Sequence, residues 1–226
     1  MHAFARRLHG SKSKSSAKET KGLILNGGWR YDLMGWFVDT FLFRGQWREL
    51  RQKTINLARI QPSEKVLDVG CGTGTLAIVA RERVGALGNV AGIDPSVQMI
   101  ARARQKAERS GFPVDFQVGL IEHLDFTEES FDVVLSTFMM HHLPPELKRQ
   151  GLIEVARVLK PEGRLLILDL KGHTGPWKSS IREQAPLLKE AGFSHVEMGE
   201  IRFYGFLQLS FIRARKSLAE KGKDCL

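Results

Sequence analysis

From residue 65 onward, short apolar runs typical of β-strands alternate with segments of helical periodicity. Such alternation is typical of a parallel sheet that is covered by helices on both faces and joined by right-handed crossovers. Ligands of these sheets bind beyond the carboxyl ends of the strands. The sequence therefore predicts an α/β fold with a site along one edge of the sheet. The strand-like runs are residues 65–70, 89–94, 114–119, 131–138 and 163–170.

Two further strand-like runs, residues 194–203 and 205–216, meet at a tight link formed by Tyr204 and Gly205. A short link between two such runs predicts an antiparallel hairpin at one edge of the sheet. No repeat or linker divides the chain, and 226 residues with 42% hydrophobic content suit one well-cored domain. We expect this domain to occupy residues 61–216.

The net charge of +9 is concentrated at the two ends of the chain. Lys and Arg crowd residues 1–22 and 211–226, whereas the middle of the chain is close to neutral. We therefore expect basic tails at residues 1–22 and 217–226 and no face for nucleic acid. Peripheral contact with an anionic membrane, through the tails and the aromatic N-terminal segment, is left open.

Composition also limits the cellular compartment. No apolar run reaches the length of a membrane span, and the N-terminus lacks the apolar core of a secretory signal. Two cysteines, Cys71 and Cys225, are too few for a disulfide framework. We expect a cytoplasmic protein, with an organellar matrix as the alternative because the basic, Ser-rich N-terminus shares the composition of transit peptides.

The first strand-like run ends in a glycine turn, with Gly70, Gly72 and Gly74 in the stretch VLDVGCGTGT. Glycines at this place let the backbone turn sharply and let a ligand approach closely. The dinucleotide fingerprint needs a third glycine where this chain has Thr75, and the turn lacks the lysine of a phosphate-binding loop. Pyrophosphate is therefore a poor candidate ligand.

An acidic residue, Asp94, stands at the end of the second strand-like run, in the stretch GIDPS. A carboxylate at this place can accept hydrogen bonds from both hydroxyls of a ribose. A glycine turn and a ribose carboxylate without phosphate-binding groups indicate a nucleoside ligand. S-adenosylmethionine is a nucleoside of this kind.

Four stretches, VLDVGCGTGT, GIDPS, FDVVLSTFMMHHLPP and VLKPEGRLLILDL, resemble in order and spacing the signature blocks of class I S-adenosylmethionine-dependent methyltransferases. Within that class, the chain resembles the small-molecule group that includes the ubiquinone and menaquinone C-methyltransferases. The resemblance covers about residues 64–170. It implies a Rossmann-like seven-stranded sheet of order 3-2-1-4-5-7-6 with an antiparallel seventh strand, and S-adenosyl-L-methionine as the cofactor.

The resemblance also implies roles for single residues. The glycine turn would pass under the methionine part of the cofactor, and Asp68 would hold the turn or contact the ammonium group. Asp94 would bind the ribose hydroxyls, and Met99 would pack near the adenine. The residues implied to contact the cofactor are Asp68, Gly70, Cys71, Gly72, Gly74, Asp94, Pro95, Met99, Ile121, Glu122 and Ser136.

One position departs from the pattern of these relatives. They commonly have an acidic residue that accepts from the adenine amino group, where this chain has Leu120. The backbone at Ile121, or Glu122, would have to replace it.

Candidate catalytic histidines follow two of the predicted strands. His141 and His142 follow the fourth strand, and His173 follows the fifth, all near the edge where ligands bind. A histidine here could act as a general base or orient the acceptor, and each also has a purely structural interpretation. Of the neighbouring pair, His141 is nearer to the strand end. No carboxylate and histidine cluster has metal-ligand spacing, so no metal is expected.

Aromatic residues are dense ahead of the first strand, where Trp29, Trp36 and Trp47 are three of the four tryptophans. The pattern predicts one or two helices within residues 23–60. Aromatics at helical spacing usually pack into a core, but they would also suit a lid over an apolar acceptor. The resemblance supports the lid, because in this group an N-terminal helix that contains a Tyr-Asp pair closes over the cofactor. In this chain the pair is Tyr31-Asp32. Tyr31 is therefore a candidate catalytic residue.

We expect an enzyme that transfers a methyl group to an O, N, S or C atom of a small, apolar, ring-bearing acceptor. One alternative is a regulatory protein that binds S-adenosylmethionine without turnover. Another is an RNA methyltransferase, which the near-neutral middle of the chain disfavours. Relatives that methylate arsenite use several cysteines, and this chain has two.

Overall fold

The computed structural model describes residues 46–172, 180–203 and 207–218. Within these ranges, seven strands form one sheet in the order β3-β2-β1-β4-β5-β7-β6. Strands β1 to β5 pair in parallel, and β7 pairs antiparallel with both β5 and β6. This arrangement confirms the predicted sheet order and the antiparallel seventh strand. The strands are β1 (Lys65–Val69), β2 (Asn89–Asp94), β3 (Asp115–Val118), β4 (Phe131–Thr137), β5 (Leu159–Leu170), β6 (Phe193–Phe203) and β7 (Leu207–Lys216).

The observed strand bounds differ most from the prediction at β5, which begins at Leu159 and was expected to begin at Gly163. The pairing between β4 and β5 shifts register here, because Phe131 faces Leu159 while Val133 already faces Arg164. The additional residues, which include Pro161, form an irregularity in the strand. Proline and glycine are typical of loops, so the sequence alone does not predict a strand here.

Five helices cover the two faces of the sheet in the described part of the chain. Two short 3-10 turns, Met140–His142 and Ile181–Glu183, follow β4 and precede the last helix. The helix after β2 is capped at both ends, since Ser96 Oγ accepts from the Met99 backbone N–H and Gly111 ends the helix with a positive φ. The helices are α1 (Gln46–Leu57), α2 (Thr75–Val84), α3 (Val97–Ser110), α4 (Pro145–Val158) and α5 (Gln184–Glu190).

The sheet separates two hydrophobic layers. Helices α1, α2 and α3 pack on one face, where Val66 and Leu135 belong to the buried layer. Helices α4 and α5 pack on the other face, against Leu67 and Val69. Successive strand residues point to opposite faces, so strands buried on both sides carry continuous apolar runs.

The C-terminal end of α1 is tied to the sheet by two arginines. Arg164 of β5 donates from Nε to the Ala58 carbonyl (2.7 Å) and makes a two-pronged ion pair with Glu64 (2.9 and 2.6 Å). Arg213 of β7 donates to the Leu57 carbonyl (3.0 Å). These bonds hold α1 along the face of the sheet, with its N-terminal end near the carboxyl edge.

Several expectations lie outside the described residues. They are the tail at 1–22, the aromatic residues before Gln46 and the link at Tyr204 and Gly205. None of the helices that the structure describes combines the length and the apolar character needed to cross a membrane.

Candidate functional site

A cavity of about 300 Å³ opens at the carboxyl ends of β1, β2 and β4, between these strand ends and α1. Its position is where a ligand binds in an open α/β sheet. The cavity combines polar groups after β1 and β2 with an apolar wall after β4. Its lining includes Trp47, Leu50, Arg51, Thr54, Gly70, Cys71, Gly72, Thr73, Asp94, Pro95, Met99, Leu120, Ile121, Glu122, Phe138, Met139, His142, Leu143 and Leu168.

Two glycines of the turn after β1 serve different purposes. Gly72 has φ 53°, and a Cβ added there would meet no heavy atom of the described residues within 4 Å. Gly74 has φ 74°, and a Cβ there would lie 2.4 Å from Phe116 Cζ and 2.8 Å from Ala103 Cβ. Gly72 therefore leaves bare backbone facing the cavity, whereas Gly74 lets α2 pack closely on its neighbours.

The Asp94 carboxylate is fixed by the backbone on both sides. The Gly72 N–H donates to Oδ2 (3.0 Å), and the Ser96 N–H donates to Oδ1 (2.9 Å). Burial raises the pKa of Asp94, and these two hydrogen bonds partly oppose the increase. A carboxylate has about four acceptor positions, so each oxygen can still accept from a ligand hydroxyl.

Asp68 lies beneath the glycine turn and does not itself line the cavity. It is 1% exposed, and neither carboxylate oxygen makes a hydrogen bond within the described part of the chain. Burial, together with the negative charge of Asp94, raises the pKa of Asp68 to about 7. A buried carboxylate in this condition is well suited to a cationic ligand group, whose charge would favour its ionised form.

The segment after β3 forms the wall near Asp94. The Gly119 N–H donates to the Asp94 carbonyl (3.2 Å), and the His123 N–H donates to the Leu120 carbonyl (3.2 Å). These bonds fold the segment so that Leu120, Ile121 and Glu122 all reach the cavity. Leu120 therefore contributes an apolar side chain to this wall.

The two neighbouring histidines after β4 have different environments. The His141 Nδ1–H donates to Asp169 Oδ1 (2.6 Å), and the His141 backbone N–H donates to Asp169 Oδ2 (3.1 Å). His142 lines the cavity, and its ring centroid lies 3.9 Å from that of His141. Burial, and then the charge of His141, lower the pKa of His142. His142 is therefore neutral at neutral pH and able to accept a proton.

A cluster of three aromatic side chains closes the cavity on the side of α1. The Trp47 ring packs edge-on against Phe138 after β4 (centroids 6.1 Å apart) and against Phe203 at the end of β6 (5.0 Å). Met139 and Leu168 continue this apolar wall. The arrangement suits an apolar ligand group more than a strongly hydrated one.

Of the predicted site residues, some line the cavity, some lie elsewhere in the fold, and some fall outside the described residues. Of the eleven residues implied to contact the cofactor, Asp68, Gly74 and Ser136 do not line the cavity and the others do. Ser136 is buried on the sheet face opposite to Asp68, because Ser136 pairs with Val69 in register. His141 is held on Asp169 behind the wall, and Tyr31 and His173 lie outside the described residues.

Two lining residues with ionisable side chains, Arg51 and His142, were not among the site residues chosen from the sequence. Arg51 lies one helical turn after Trp47, and this i, i+4 spacing could have indicated that both reach the same side of α1. His142 was named but ranked behind His141. The 3-10 turn at Met140–His142, which carries His142 to the cavity wall, has no clear sequence signal.

Comparison with known proteins agrees with this geometry. Residues 66–163 match the family described as methyltransferase domain. The chain is 31% identical to a demethylmenaquinone methyltransferase of Lactobacillus johnsonii over 166 residues, which are 73% of this chain and 66% of the relative. It is 34% identical to an arsenite methyltransferase of Halobacterium salinarum over 159 residues, 62% of this chain and 40% of the relative. The chain thus spans at most about two thirds of the length of these relatives.

A solved structure supports the fold independently. A crystal structure of a SAM-dependent methyltransferase from Aquifex aeolicus superposes with a TM-score of 0.63 at 24% identity, over 74% of this chain and 89% of that one. Together with the sheet order and the glycine turn, the family match makes residues 66–163 a methyltransferase domain, and its fold is that of the class I S-adenosylmethionine-dependent methyltransferases. Within that class it resembles the ubiquinone and menaquinone C-methyltransferases.

Proposed function

We propose that this protein transfers the methyl group of S-adenosylmethionine to a small acceptor that carries an apolar ring. The observation that carries the proposal is the Asp94 carboxylate, held by the N–H groups of Gly72 and Ser96 beside bare glycine backbone. This polar corner adjoins an aromatic wall in a single cavity. One half suits a nucleoside and the other half suits an apolar acceptor.

The residues of the polar half fit the cofactor. Asp94 would accept from the ribose hydroxyls, and the open space beside Gly72 would admit the methionine part. The buried Asp68 would favour the positive charge of the ammonium group. Pro95 and Met99 would pack against the adenine. The backbone at Ile121, or Glu122, would accept from the adenine amino group.

The acceptor half supports a ring-bearing molecule. Trp47, Phe138 and Met139 supply an apolar wall of aromatic and thioether side chains, which can pack against a ring. A relative named demethylmenaquinone methyltransferase is in agreement with this class of acceptor. Another relative is named arsenite methyltransferase, but the two cysteines of this chain argue against that acceptor.

Bound S-adenosylmethionine would supply a methyl group that its sulfonium already activates. The chain would then contribute mainly by holding the acceptor in line with that methyl group and by excluding water. Positioning of this kind can contribute on the order of 7–11 kcal/mol to lowering a barrier. His142 would accept a proton if the acceptor carries one, while the bond from His141 to Asp169 holds the turn in place.

A binding experiment tests the cofactor half. Isothermal titration should show that the wild type binds S-adenosylmethionine and S-adenosylhomocysteine. Asp94→Ala should weaken both by about tenfold or more, because two charge-assisted hydrogen bonds are lost. Asp125→Ala is the matched control, since this carboxylate is exposed and pairs with His123 at the surface. If the wild type binds neither ligand at millimolar concentration, the proposal is wrong.

An acceptor screen with labelled cofactor tests the other half and separates an enzyme from a regulatory protein. Phenols, quinols, amines and thiols should be offered in parallel, and acceptors with apolar rings should be methylated fastest. Preference for small hydrophilic amines would contradict the proposed acceptor class. Tight cofactor binding without transfer to any acceptor would favour the regulatory alternative.

A further inference from the structure

Two side chains of α4 hold the segment between β3 and β4. Arg157 donates from Nη1 to the Phe126 carbonyl (2.8 Å) and from Nη2 to the Leu124 carbonyl (2.8 Å). The same guanidinium makes a two-pronged ion pair with Glu154 (2.7 and 2.8 Å), and Glu154 Oε2 accepts from the Leu124 N–H (2.9 Å). Three backbone groups of the segment are thus bonded to one pair of side chains, Glu154 and Arg157, which we call the α4 clamp.

The α4 clamp is mostly buried, and its bonds are charge-assisted. The side chain of Arg157 is 29% exposed and that of Glu154 is 19% exposed. The hydrogen bond from Arg157 lowers the pKa of Glu154, and the same bond raises the pKa of Arg157, so both groups are ionised at neutral pH. Two-pronged, charge-assisted bonds are stronger and more exact in geometry than neutral ones. The α4 clamp therefore holds the segment in one position relative to α4.

The cavity wall formed by this segment rests on the same helix. Ile121 lines the cavity and packs against Gly151 of α4, where an added Cβ would lie 2.7 Å from Ile121 Cγ1. Gly151 lies on α4 one turn before the α4 clamp. Leu124, which the α4 clamp holds, directly follows the turn closed by the bond from the His123 N–H to the Leu120 carbonyl (3.2 Å). The position of the wall is thus set from two points of α4.

We infer that Arg157 and Glu154 are positioning residues for recognition of the cofactor's adenine, although neither lines the described cavity. This inference rests on the proposed function, in which the backbone at Ile121, or Glu122, accepts from the adenine amino group. A backbone carbonyl cannot turn toward a ligand as a long side chain can, so its aim depends on how the segment is held. Because a hydrogen bond weakens steeply when its angle is poor, a small displacement of the wall is enough to lose it.

The test compares two ligands that differ only in the amino group. Isothermal titration is carried out with S-adenosylhomocysteine and with its 6-deamino analogue, in which a hydrogen atom replaces the adenine amino group. The wild type should prefer S-adenosylhomocysteine by about tenfold or more, since the analogue leaves a buried acceptor without its donor. Arg157→Leu should weaken S-adenosylhomocysteine by about tenfold and the analogue by less than about threefold, so that the preference nearly disappears. A purely structural role would weaken both ligands equally.

Three further variants keep the test independent of the folding of Arg157→Leu. Arg157→Lys keeps the charge beside Glu154 and loses the fork that reaches both carbonyls, so its preference should fall between those of Arg157→Leu and the wild type. Gly151→Ala displaces Ile121 without touching the α4 clamp and should also narrow the preference. Arg149→Leu is the matched control on the same helix, because Arg149 pairs with Glu190 at the surface (3.2 Å) and should leave the preference unchanged.

The outcomes separate the inference from the proposed function. Binding of the analogue shows that a variant is folded, so a loss confined to S-adenosylhomocysteine supports the inference. A full preference in folded Arg157→Leu or Arg157→Lys overturns it, as does equal weakening of both ligands. A wild type that binds both ligands equally also overturns it and leaves methyl transfer standing. A wild type that binds neither ligand contradicts the proposed function itself.

Discussion

The protonation state of the buried Asp68 should depend on whether a cationic ligand is bound. Its carboxylate is sealed beneath the glycine turn, and its oxygens make no hydrogen bond with the described residues. With a pKa of about 7, it carries only part of its charge at neutral pH. Ionisation without a nearby cation costs folding free energy. The cofactor-free protein is therefore less stable at alkaline pH than its packing alone would make it.

Asp68→Asn should reveal this cost as a dependence on pH. The pKa of Asp68 rises from its usual 3.8 to about 7 on folding. The stabilisation by this group is thus fully present below about pH 3.8 and is lost as the pH rises through 7. The gain in unfolding free energy of Asp68→Asn over the wild type should grow by about 2–3 kcal/mol from pH 5 to pH 8. Urea unfolding without cofactor measures it, and an equal difference at both pH values would contradict it. Asp125→Asn is the exposed control.

Substitutions of Gly72 and Gly74 should have different effects on cofactor affinity and on folding stability. Gly74→Ala forces a methyl group against Phe116 and Ala103 and should lower the unfolding free energy by about 2–4 kcal/mol. Gly72→Ala has room for its methyl group and should cost about 1 kcal/mol through its positive φ. It should nevertheless reduce S-adenosylhomocysteine affinity more than Gly74→Ala does. Urea unfolding and isothermal titration measure both, and a reversed ranking in either experiment would be inconsistent with the assignment.

His142 should matter for turnover and not for cofactor affinity. His142→Gln should lower kcat by about 100-fold or more with an acceptor that loses a proton, and leave S-adenosylhomocysteine binding unchanged. Because the pKa of His142 is lowered from 6.5, wild-type activity should rise with pH around a midpoint below 6.5, and the variant should lack this rise. Kinetics across pH provide the measurement. Full activity of His142→Gln would make this residue part of the packing.

At the scale of elements, helix α1 shows where sequence reasoning succeeds and where it stops. Periodicity predicted helix near Trp47, and strand patterns predicted the strands and the terminal hairpin, because both depend on local alternation of apolar residues. The order of the strands came only from the resemblance to a known family. The bulged start of β5 was missed, since Pro161 and Gly163 favour a loop when read without the partner strand. The positions of Arg51 and His142 in the cavity lining could not be predicted. Those positions arise from packing between elements distant in sequence.

The hydrogen bonds and the ion pair of Arg164 should contribute more to the free energy of unfolding than an ordinary surface ion pair does. Its side chain is 15% exposed, and that of Glu64 is 18% exposed. Arg164→Leu should therefore lower the unfolding free energy by about 2–4 kcal/mol, because it leaves Glu64 and the Ala58 carbonyl without their donor. Arg215 faces Arg164 in the register and pairs with Glu162 at the surface, so Arg215→Leu should cost about 0–1 kcal/mol. Equal losses in urea unfolding would refute this ranking.

At the scale of the whole molecule, the uneven charge suggests which parts serve catalysis. The basic segment 1–22 is polar, whereas residues 23–44 contain Trp29, Tyr31 and Trp36. Aromatic side chains of that density ahead of α1 would extend the apolar wall that Trp47 begins. We predict that these residues form a lid over the cavity.

Two truncations test the lid. Deletion of residues 1–22 should leave turnover nearly unchanged, and deletion of residues 1–44 should abolish it while α1 is retained. Circular dichroism must first show that the shorter protein is folded. Tyr31→Phe then tests the hydroxyl alone through kcat and cofactor affinity. Full activity in a folded protein without residues 1–44 would show that those residues form no lid.

The place of β7 between β5 and β6 also has a consequence for biosynthesis. β7 follows both of its neighbours in the sequence, and Arg213 within it secures Leu57, 156 residues earlier. While the chain is being translated, β5 therefore presents an apolar strand edge with no partner until β7 leaves the ribosome. Such edges invite association between nascent chains. Ribosomal pausing or a nonsense codon shortly before residue 207 would thus yield an aggregation-prone product, even though every residue of the described cavity had already been made.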